Sequence, residues 1–333
     1  MIRNNKCILG TMNIEYIYSS INNNINIDKN TEYKSIIDKY ISSFRDPILD
    51  TAYYYGNTKT EQILGELLEG REDIKIATKV NPWYMNDFTN GKLGRLGAIY
   101  LENQFNISLK NLRVNNVEIL YLHCPDYETK IYETLNKCDE LWRREKFNYL
   151  GISNYSKDQL IEIFDVCDNY ELVKPRYYQG MYNIICRKVE EIFPIIEDRN
   201  MEFWAYNPLA GGLLTGKYRN VGMVHEPNLN KESRFKENKI YQNIFWKKSI
   251  LDNLTNFWKL GDNNKCIELS YQWLIKYSKL RKQDKIVIGV STSQQLENNM
   301  DLINRDIEYD KSTLQILDNI NKNVYEDSPN YFY

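Results

Sequence analysis

Four side chains that suit proton transfer lie at or just beyond the ends of short apolar runs. Asp50 lies within the run Ile48–Ala52, and Tyr55 follows it closely. Lys79 and His123 each lie at the end of a later apolar run. A lysine in such a position is costly to bury unless it is paired, and Asp50 is a natural partner for it. The pattern predicts one buried acid–base group.

These residue types suit the delivery of a proton to a carbonyl oxygen. A free tyrosine has a pKa near ~10 and is a reluctant acid or base at neutral pH. A nearby ammonium stabilises the phenolate, and each unit of lowering corresponds to ~1.4 kcal/mol. We expect Asp50 to hold Lys79 and keep it charged, while neutral His123 orients the substrate oxygen. The group needs no metal, but a reduction also requires a hydride donor.

Eight short apolar runs alternate with helical patterns along the chain. The runs are nearly continuous in hydrophobicity, as in parallel strands buried on both faces. The helical stretches include Glu61–Leu68, Leu96–Leu112 and Ser156–Cys167, the last of which opens with a serine cap. The runs are Cys7–Met12, Ile48–Ala52, Ile74–Val80, Val117–His123, Tyr149–Ser153, Tyr177–Tyr182, Phe203–Asn207 and Lys285–Val290.

This alternation predicts an α/β fold, a (β/α)8 TIM barrel that forms a single domain over residues 1–333. A doubly wound sheet is the alternative, but it calls for a G-x-G-x-x-G turn that the segment Leu9–Met12 lacks. The long interval between the seventh and eighth strands predicts an extended loop over Tyr218–Glu237 and an extra helix around Ile244–Leu260. Functional groups of such barrels lie at the C-terminal ends of the strands, so the four side chains share one mouth.

Composition narrows the classes of protein and partner. The net charge is −2, from 43 basic and 45 acidic residues, so a nucleic-acid partner is not expected. The sequence contains no apolar stretch of ~18 residues, so we expect no membrane-spanning helix. The first residues, Met1–Lys6, lack the apolar run of a secretory signal, and six scattered cysteines suggest buried free thiols. We therefore expect a cytoplasmic protein. Two histidines exclude a multi-histidine metal centre.

Longer strings of the sequence resemble the aldo-keto reductases over nearly the whole chain. The order of the four side chains, the run Asp50–Gly56 and the run Gly151–Tyr155 carry this resemblance. Within the family, the chain is most similar to the aflatoxin aldehyde and succinic semialdehyde reductase branch. The strings that carry the second match are Ile76–Trp83, Tyr178–Asn183, Asn207–Tyr218 and Ser328–Phe332.

The resemblance implies an NADPH-dependent carbonyl reductase, with NADP+ as the oxidised cofactor. It makes Tyr55 the proton donor, tuned by Lys79 and Asp50, and His123 the group that orients the small-molecule carbonyl substrate. It also implies a homodimer.

The resemblance places the cofactor across the barrel mouth in three groups of residues. Side chains beside Asp50 would hold the nicotinamide, a glycine-rich loop the pyrophosphate, and the segment after the eighth strand the adenosine 2′-phosphate. The loop ends in G-x-x-x-x-G-K, but Tyr218 replaces the Ser or Thr of a P-loop, which rejects an NTPase. The first group is Asp50, Ser153, Asn154, Gln179 and Tyr206. The second is Asn207, Pro208, Leu209, Gly211, Lys217 and Arg234. The third is Gly289, Ser291, Gln295 and Asn299.

Two departures from the branch bear on specificity. The branch often ends in an arginine that binds a substrate carboxylate, whereas this chain ends in Tyr333. This favours plain aldehydes, aromatic aldehydes or α-dicarbonyls over carboxylated aldehydes. No basic residue lies between Lys285 and Arg305, which leaves the preference for NADPH over NADH open. The predicted substrate pocket is apolar and aromatic, lined by Met12, Trp83, Tyr84, Tyr331, Phe332 and Tyr333.

Two other functions remain open at this point. The first is an NADP(H)-binding sensor or scaffold protein with little turnover, because the potassium-channel β-subunits resemble the same family. The second is a non-redox barrel enzyme, such as an aldolase that uses Lys79 as a Schiff base. The proposed pairing with Asp50 argues against the aldolase, because it keeps the lysine charged.

Overall fold

The chain folds into a closed barrel of eight parallel strands, β1 to β8, in chain order. A computed structural model describes residues 6–14, 30–71, 74–83, 94–219, 235 and 238–332. Each strand pairs with the next, and β8 closes the barrel on β1. The predicted (β/α)8 barrel is confirmed. The strands are Cys7–Gly10, Ile48–Asp50, Lys75–Val80, Val117–Leu122, Phe147–Ser153, Pro175–Met181, Glu202–Tyr206 and Lys285–Ile288.

Helices surround the barrel. At the start of the helix Lys157–Asn169, the Ser156 hydroxyl accepts from the Gln159 N–H while the Gln159 side chain accepts from the Ser156 N–H, which confirms the predicted cap. No helix in the described ranges is long and apolar enough to cross a membrane. The helices α1 to α11 are Asn30–Ser43, Lys59–Leu67, Ala98–Leu112, Ile131–Arg143, Lys157–Asn169, Phe193–Asp198, Lys239–Phe245, Lys248–Trp258, Asn263–Gln272, Ser293–Asn304 and Lys311–Val324.

Several strands end one or two residues earlier than the apolar runs predict. His123, for example, lies just beyond β4, although its N–H still donates to the Val80 carbonyl at 2.8 Å. The Tyr53 N–H likewise donates to the Lys79 carbonyl at 3.0 Å. The chain therefore leaves the regular ladder but stays hydrogen-bonded to its neighbour, which fixes the residues that form the barrel mouth.

Helices α7, α8 and α9 lie between β7 and β8, and α7 and α8 occupy the stretch around Ile244–Leu260 where the sequence predicts a single helix. Trp246 interrupts the helical pattern with a ψ of 59°, between α7 and α8. Its ring packs 5.2 Å from that of Phe235 and 5.5 Å from that of Tyr218, and we attribute the break to this packing. The predicted loop Tyr218–Glu237 lies mostly outside the described residues.

Alternate residues of each strand point into the barrel, as the two-residue period of a strand requires. One interior cluster is apolar and fully packed, and it includes Tyr121 and Trp204 with rings 5.9 Å apart. Lys79 pairs in register with Tyr121 across β3 and β4, so the two side chains lie on the same side of the sheet. The charged side chain of Lys79 therefore lies beside a buried cluster that includes aromatic rings. The six cysteines are buried free thiols, as predicted.

Helices α2 and α3 approach each other closely at Gly65. A Cβ atom built on Gly65 would collide with the backbone carbonyl of Asn111. Backbone atoms cannot rotate away as a flexible side chain can, so any side chain at this position forces the two helices apart.

We expect Gly65→Ala to destabilise the protein by about 1–3 kcal/mol, because overpacking outweighs the gain in helix propensity. Urea unfolding followed by circular dichroism measures the change. The exposed neighbour Gln62→Ala in the same helix is the control and should stay within about 0.5 kcal/mol of the native protein. A Gly65→Ala variant as stable as the native protein contradicts the packing described here.

Candidate active site

A buried ion pair lies at the C-terminal end of the barrel. The Lys79 Nζ donates to both carboxylate oxygens of Asp50 and to the Thr51 carbonyl, each at 2.8 Å. Lys79 is fully buried and Asp50 is 2% exposed. An ammonium has three N–H donors, and the site offers it three acceptors. Although burial lowers the pKa of Lys79, the Asp50 carboxylate opposes this, and the acceptor set is satisfied in full only by the charged form.

Tyr55 and His123 lie beside this pair. The Lys79 Nζ is 5.1 Å from the centroid of the Tyr55 ring, which is half-buried in a 3-10 turn directly before α2. The Tyr55 and His123 rings meet edge to face at 5.9 Å. The four predicted catalytic side chains therefore come together at one mouth, supplied by β2, β3, β4 and the turn after β2.

His123 is a neutral imidazole in this setting. Burial lowers the pKa of His123 to about 3, and the Lys79 ammonium adds to the effect. The Trp83 ring lies 5.3 Å from His123 and encloses it further. A ring with this pKa carries no charge at neutral pH, so it acts through hydrogen bonding alone.

The side chains predicted for the nicotinamide form two hydrogen-bonded groups, one on Asp50 and one around Asn154. The Gln179 Nε2 donates to the Asp50 carboxylate at 2.9 Å, so it is joined to the ion pair. The Asn154 Nδ2 donates to the Ser153 hydroxyl and to the His123 carbonyl, each at 3.0 Å. The Tyr206 hydroxyl donates to Asn154 Oδ1 at 2.8 Å. Asn154 holds this place with a φ of +64°, a conformation that asparagine tolerates.

The conformation of the loop after β7 is set by a hydrogen bond to the Asn207 side chain and by the positive φ of Gly211. The Gly211 N–H donates to Asn207 Oδ1 at 2.7 Å, and Gly211 adopts a φ of +65° that favours glycine. Lys217 is exposed, with its Nζ 4.9 Å from the Tyr218 ring centroid. Pro208 is buried and Leu209 is half-buried. Arg234 lies outside the described residues.

The segment after β8 begins helix α10 with two side-chain contacts. Thr292 caps the helix by accepting from the Gln295 N–H at 3.1 Å, and Gln295 Oε1 accepts from the Ser291 N–H at 2.9 Å. Gly289 is exposed, whereas Asn299 is buried in α10, with 7% of its surface exposed. The predicted residues are thus neighbours at one helix start.

The predicted substrate pocket is described only in part. Trp83 is 6% exposed and Met12 is 42% exposed, and both lie beside the mouth. The Tyr331 hydroxyl donates to Glu191 Oε1 at 2.7 Å, so it anchors the C-terminal segment and is not available to a substrate. Phe332 contacts the Tyr331 ring at 5.0 Å. Tyr84 and Tyr333 lie outside the described residues.

The sequence analysis missed two buried groups that contact β3 or pair with it, Glu61 through Thr78 and Tyr121 in register with Lys79. Glu61 is fully buried in α2, and its Oε1 accepts from the Thr78 hydroxyl at 2.5 Å. Its spacing of three and seven residues from Leu64 and Leu68 would have placed it on the inner face of the helix. Tyr121 lies two residues before His123 and so shares its side of the sheet.

The described residues hold no group of three or more His, Cys, Asp or Glu side chains that suits a metal ion. The site is therefore built from one ion pair, a tyrosine, a neutral histidine and amide side chains.

Comparison with known proteins identifies the family of the chain. The model of the aldo/keto reductase family matches residues 7–322. Aflatoxin B1 aldehyde reductase member 2 of Rattus norvegicus is 36% identical over 274 residues, which cover 76% of this chain and 70% of that protein. Aflatoxin B1 aldehyde reductase member 4 of Homo sapiens is 34% identical over 265 residues, 76% of this chain and 78% of that protein.

A solved structure shows the same fold. The glycerol dehydrogenase of Gluconobacter oxydans superposes with a TM-score of 0.69 and 23% identity, over 98% of this chain and 94% of that one. The barrel, the ion pair beside a tyrosine and a histidine, and the family match define a carbonyl-reducing oxidoreductase of the barrel type. The chain belongs to the aldo/keto reductase family. Members of this family generally use NAD(P)H.

Glu61 provides a test of the buried environment around β3. Burial raises the pKa of Glu61 to about 7, although hydrogen bonds such as that from Thr78 oppose the rise. The folded-state pKa exceeds the unfolded value near ~4.3, so charging Glu61 destabilises the fold as the pH rises through this interval. We therefore expect the stability of Glu61→Gln, relative to the native protein, to increase by about 2 kcal/mol from pH 5 to pH 8.

Urea unfolding at several pH values measures this difference. Glu66→Gln is the matched control, because Glu66 is exposed on the same helix and its variant should show no such trend. A flat difference for Glu61→Gln would show that Glu61 carries no raised pKa.

Proposed function

We propose that the protein reduces aldehydes and ketones to alcohols with NADPH, and that Tyr55 is the proton donor. The observation that carries the proposal is the Lys79 ammonium, buried with Asp50 and 5.1 Å from the Tyr55 ring centroid. A cation so placed and so poorly solvated favours the phenolate of Tyr55 and makes its hydroxyl a stronger acid.

A nicotinamide held at the mouth would supply a hydride to the carbonyl carbon. The Tyr55 hydroxyl gives its proton to the carbonyl oxygen, so the C=O bond becomes a C–O–H group and Tyr55 is left as a phenolate. Lys79 stabilises the phenolate, and Asp50 holds the ammonium in position. His123 donates a hydrogen bond to the carbonyl oxygen and orients it toward Tyr55.

The residues at the mouth fit a dinucleotide. The Asn207 Nδ2 is buried and makes no hydrogen bond within the described residues, so an acceptor on a ligand would satisfy it. Ser153, Asn154 and Gln179 are polar, uncharged and almost fully buried, which suits a carboxamide. The exposed cation of Lys217 suits a pyrophosphate, whereas the N–H groups of Gly211 and Gly212 already donate within the loop. NADPH, rather than NADH, rests on the family resemblance of the residues after β8.

The substrate class follows from the aromatic wall of the mouth. Trp83 packs against His123 and stands edge to face with Tyr54 at 5.3 Å, beside exposed Met12. Aromatic and thioether groups favour an apolar substrate body. We propose plain aldehydes, aromatic aldehydes and α-dicarbonyls in preference to carboxylated aldehydes.

The burial of Lys79 argues against the aldolase alternative. A Schiff base needs a neutral amine that reaches a substrate, whereas this amine is fully buried and makes three hydrogen bonds.

We expect Tyr55→Phe to lower kcat for 4-nitrobenzaldehyde by about 100-fold or more, because the proton donor is lost. NADPH oxidation at 340 nm measures turnover, and quenching of protein fluorescence measures NADPH binding, which should stay within a few-fold of the native value. Tyr54→Phe is the matched control and should keep its activity.

The outcomes separate the two functions that remain. Full activity of Tyr55→Phe would remove Tyr55 from the mechanism. A native protein that binds NADPH but reduces no aldehyde or α-dicarbonyl would overturn the reductase and favour the sensor or scaffold.

The low pKa of His123 gives a further expectation. Because the imidazole stays neutral well below its ordinary range, kcat/KM should show no histidine titration between pH 5 and pH 8. A pH–rate profile in this interval tests it. An inflection near ~6.5 that disappears in His123→Gln would contradict a permanently neutral histidine.

A further inference from the structure

We propose that Tyr121 is a positioning residue for proton transfer, and that Gly151 sets its place. The Tyr121 ring forms the floor of the Lys79–Asp50 pair and holds the ammonium next to Tyr55. The inference rests on the proposed function and adds to it a residue that does not touch the substrate.

Two aromatic rings flank the ammonium. The Lys79 Nζ lies 5.1 Å from the centroid of Tyr55 and 5.8 Å from that of Tyr121. Both distances are within the range at which a cation is attracted to the face of an aromatic ring, and the attraction is greater where water is excluded. Tyr55 is half-buried at the mouth and Tyr121 is fully buried in the interior cluster, so the ammonium has one ring neighbour at the mouth and one in the interior.

The position of Tyr121 is set by the strand register. Lys79 on β3, Tyr121 on β4 and Gly151 on β5 are consecutive partners across the sheet. A Cβ atom built on Gly151 would collide with the Tyr121 ring. The absence of a side chain at Gly151 therefore lets the Tyr121 ring lie in its observed place.

The ring of Tyr121, rather than its hydroxyl, carries this role. Tyr121 is fully buried, and its hydroxyl lies near the Gln179 side chain without a hydrogen bond of standard geometry within the described residues. Burial raises the pKa of Tyr121, and the Asp50 carboxylate adds to the rise, so the phenol stays neutral. A phenylalanine would keep the ring face and the dry floor, whereas a leucine would keep only apolar volume.

The test compares Tyr121→Phe with Tyr121→Leu. In the reduction direction, the rate falls at alkaline pH as Tyr55 loses its proton. The position of this alkaline limb of the pH–rate profile therefore reports the acidity of Tyr55. Tyr121→Leu weakens the hold on the ammonium, and we expect the limb to move to higher pH by about one unit. Tyr121→Phe should restore the native profile. NADPH binding, followed by fluorescence quenching, should stay within a few-fold of native in both.

Two further variants separate positioning from general packing. Gly151→Ala displaces the ring while Tyr121 remains, so it should move the limb as Tyr121→Leu does. Gly180→Ala is its matched control, because a Cβ there meets Phe203 and the Tyr178 ring, away from the pair. Tyr177→Leu also removes an interior aromatic ring, one that packs on Trp204, and should leave the limb in place.

The outcomes distinguish this inference from the proposed function. An unmoved limb in folded, active Tyr121→Leu would overturn the role of Tyr121 and leave the reductase intact, as would a Tyr121→Phe limb displaced as far as that of Tyr121→Leu. A native protein without turnover, or with a limb that persists in Tyr55→Phe, would overturn both. If Gly151→Ala fails to fold, the comparison of Tyr121→Phe with Tyr121→Leu still decides the outcome.

Discussion

The ion pair between Lys79 and Asp50 is the constraint on which the rest of the site depends. Both groups are removed from water, and each would be strongly unfavourable alone, since loss of one partner from such a pair typically costs about 3–5 kcal/mol. Strands β2 and β3 must therefore stay paired so that the carboxylate meets the ammonium. The apolar and aromatic layer beneath them keeps water out, which preserves the strength of the interaction.

The same ion pair also determines how the site acts on Tyr55. All three Lys79 donors are used by Asp50 and the Thr51 carbonyl, so the ammonium influences Tyr55 through its field and not through a hydrogen bond. Gln179 ties the carboxylate to β6, and Asn154 ties β5 to the His123 carbonyl. The hydrogen-bond network thus couples the residues proposed for the cofactor to those proposed for proton transfer.

The sequence was sufficient to predict the barrel, because its buried strands are short, continuous apolar runs. It was also sufficient to predict that Asp50, Tyr55, Lys79 and His123 meet at the ends of these strands. It was not sufficient for the strand ends, where the chain leaves the ladder yet keeps single backbone bonds. Nor did it indicate the break at Trp246, which depends on packing with distant rings. The role of Tyr121 could not be predicted, because a tyrosine in an apolar strand is typical of a core residue. Only the strand register shows that it lies beside Lys79.

The buried ammonium should make Tyr55 unusually acidic. A pH titration of tyrosinate absorbance in the near ultraviolet tests this without any substrate. Burial raises the pKa of many other tyrosines, including Tyr40, Tyr155 and Tyr178. The difference between the native protein and Tyr55→Phe should therefore show one tyrosine that ionises below the ordinary value near ~10. A difference that appears only at or above that value would contradict the account.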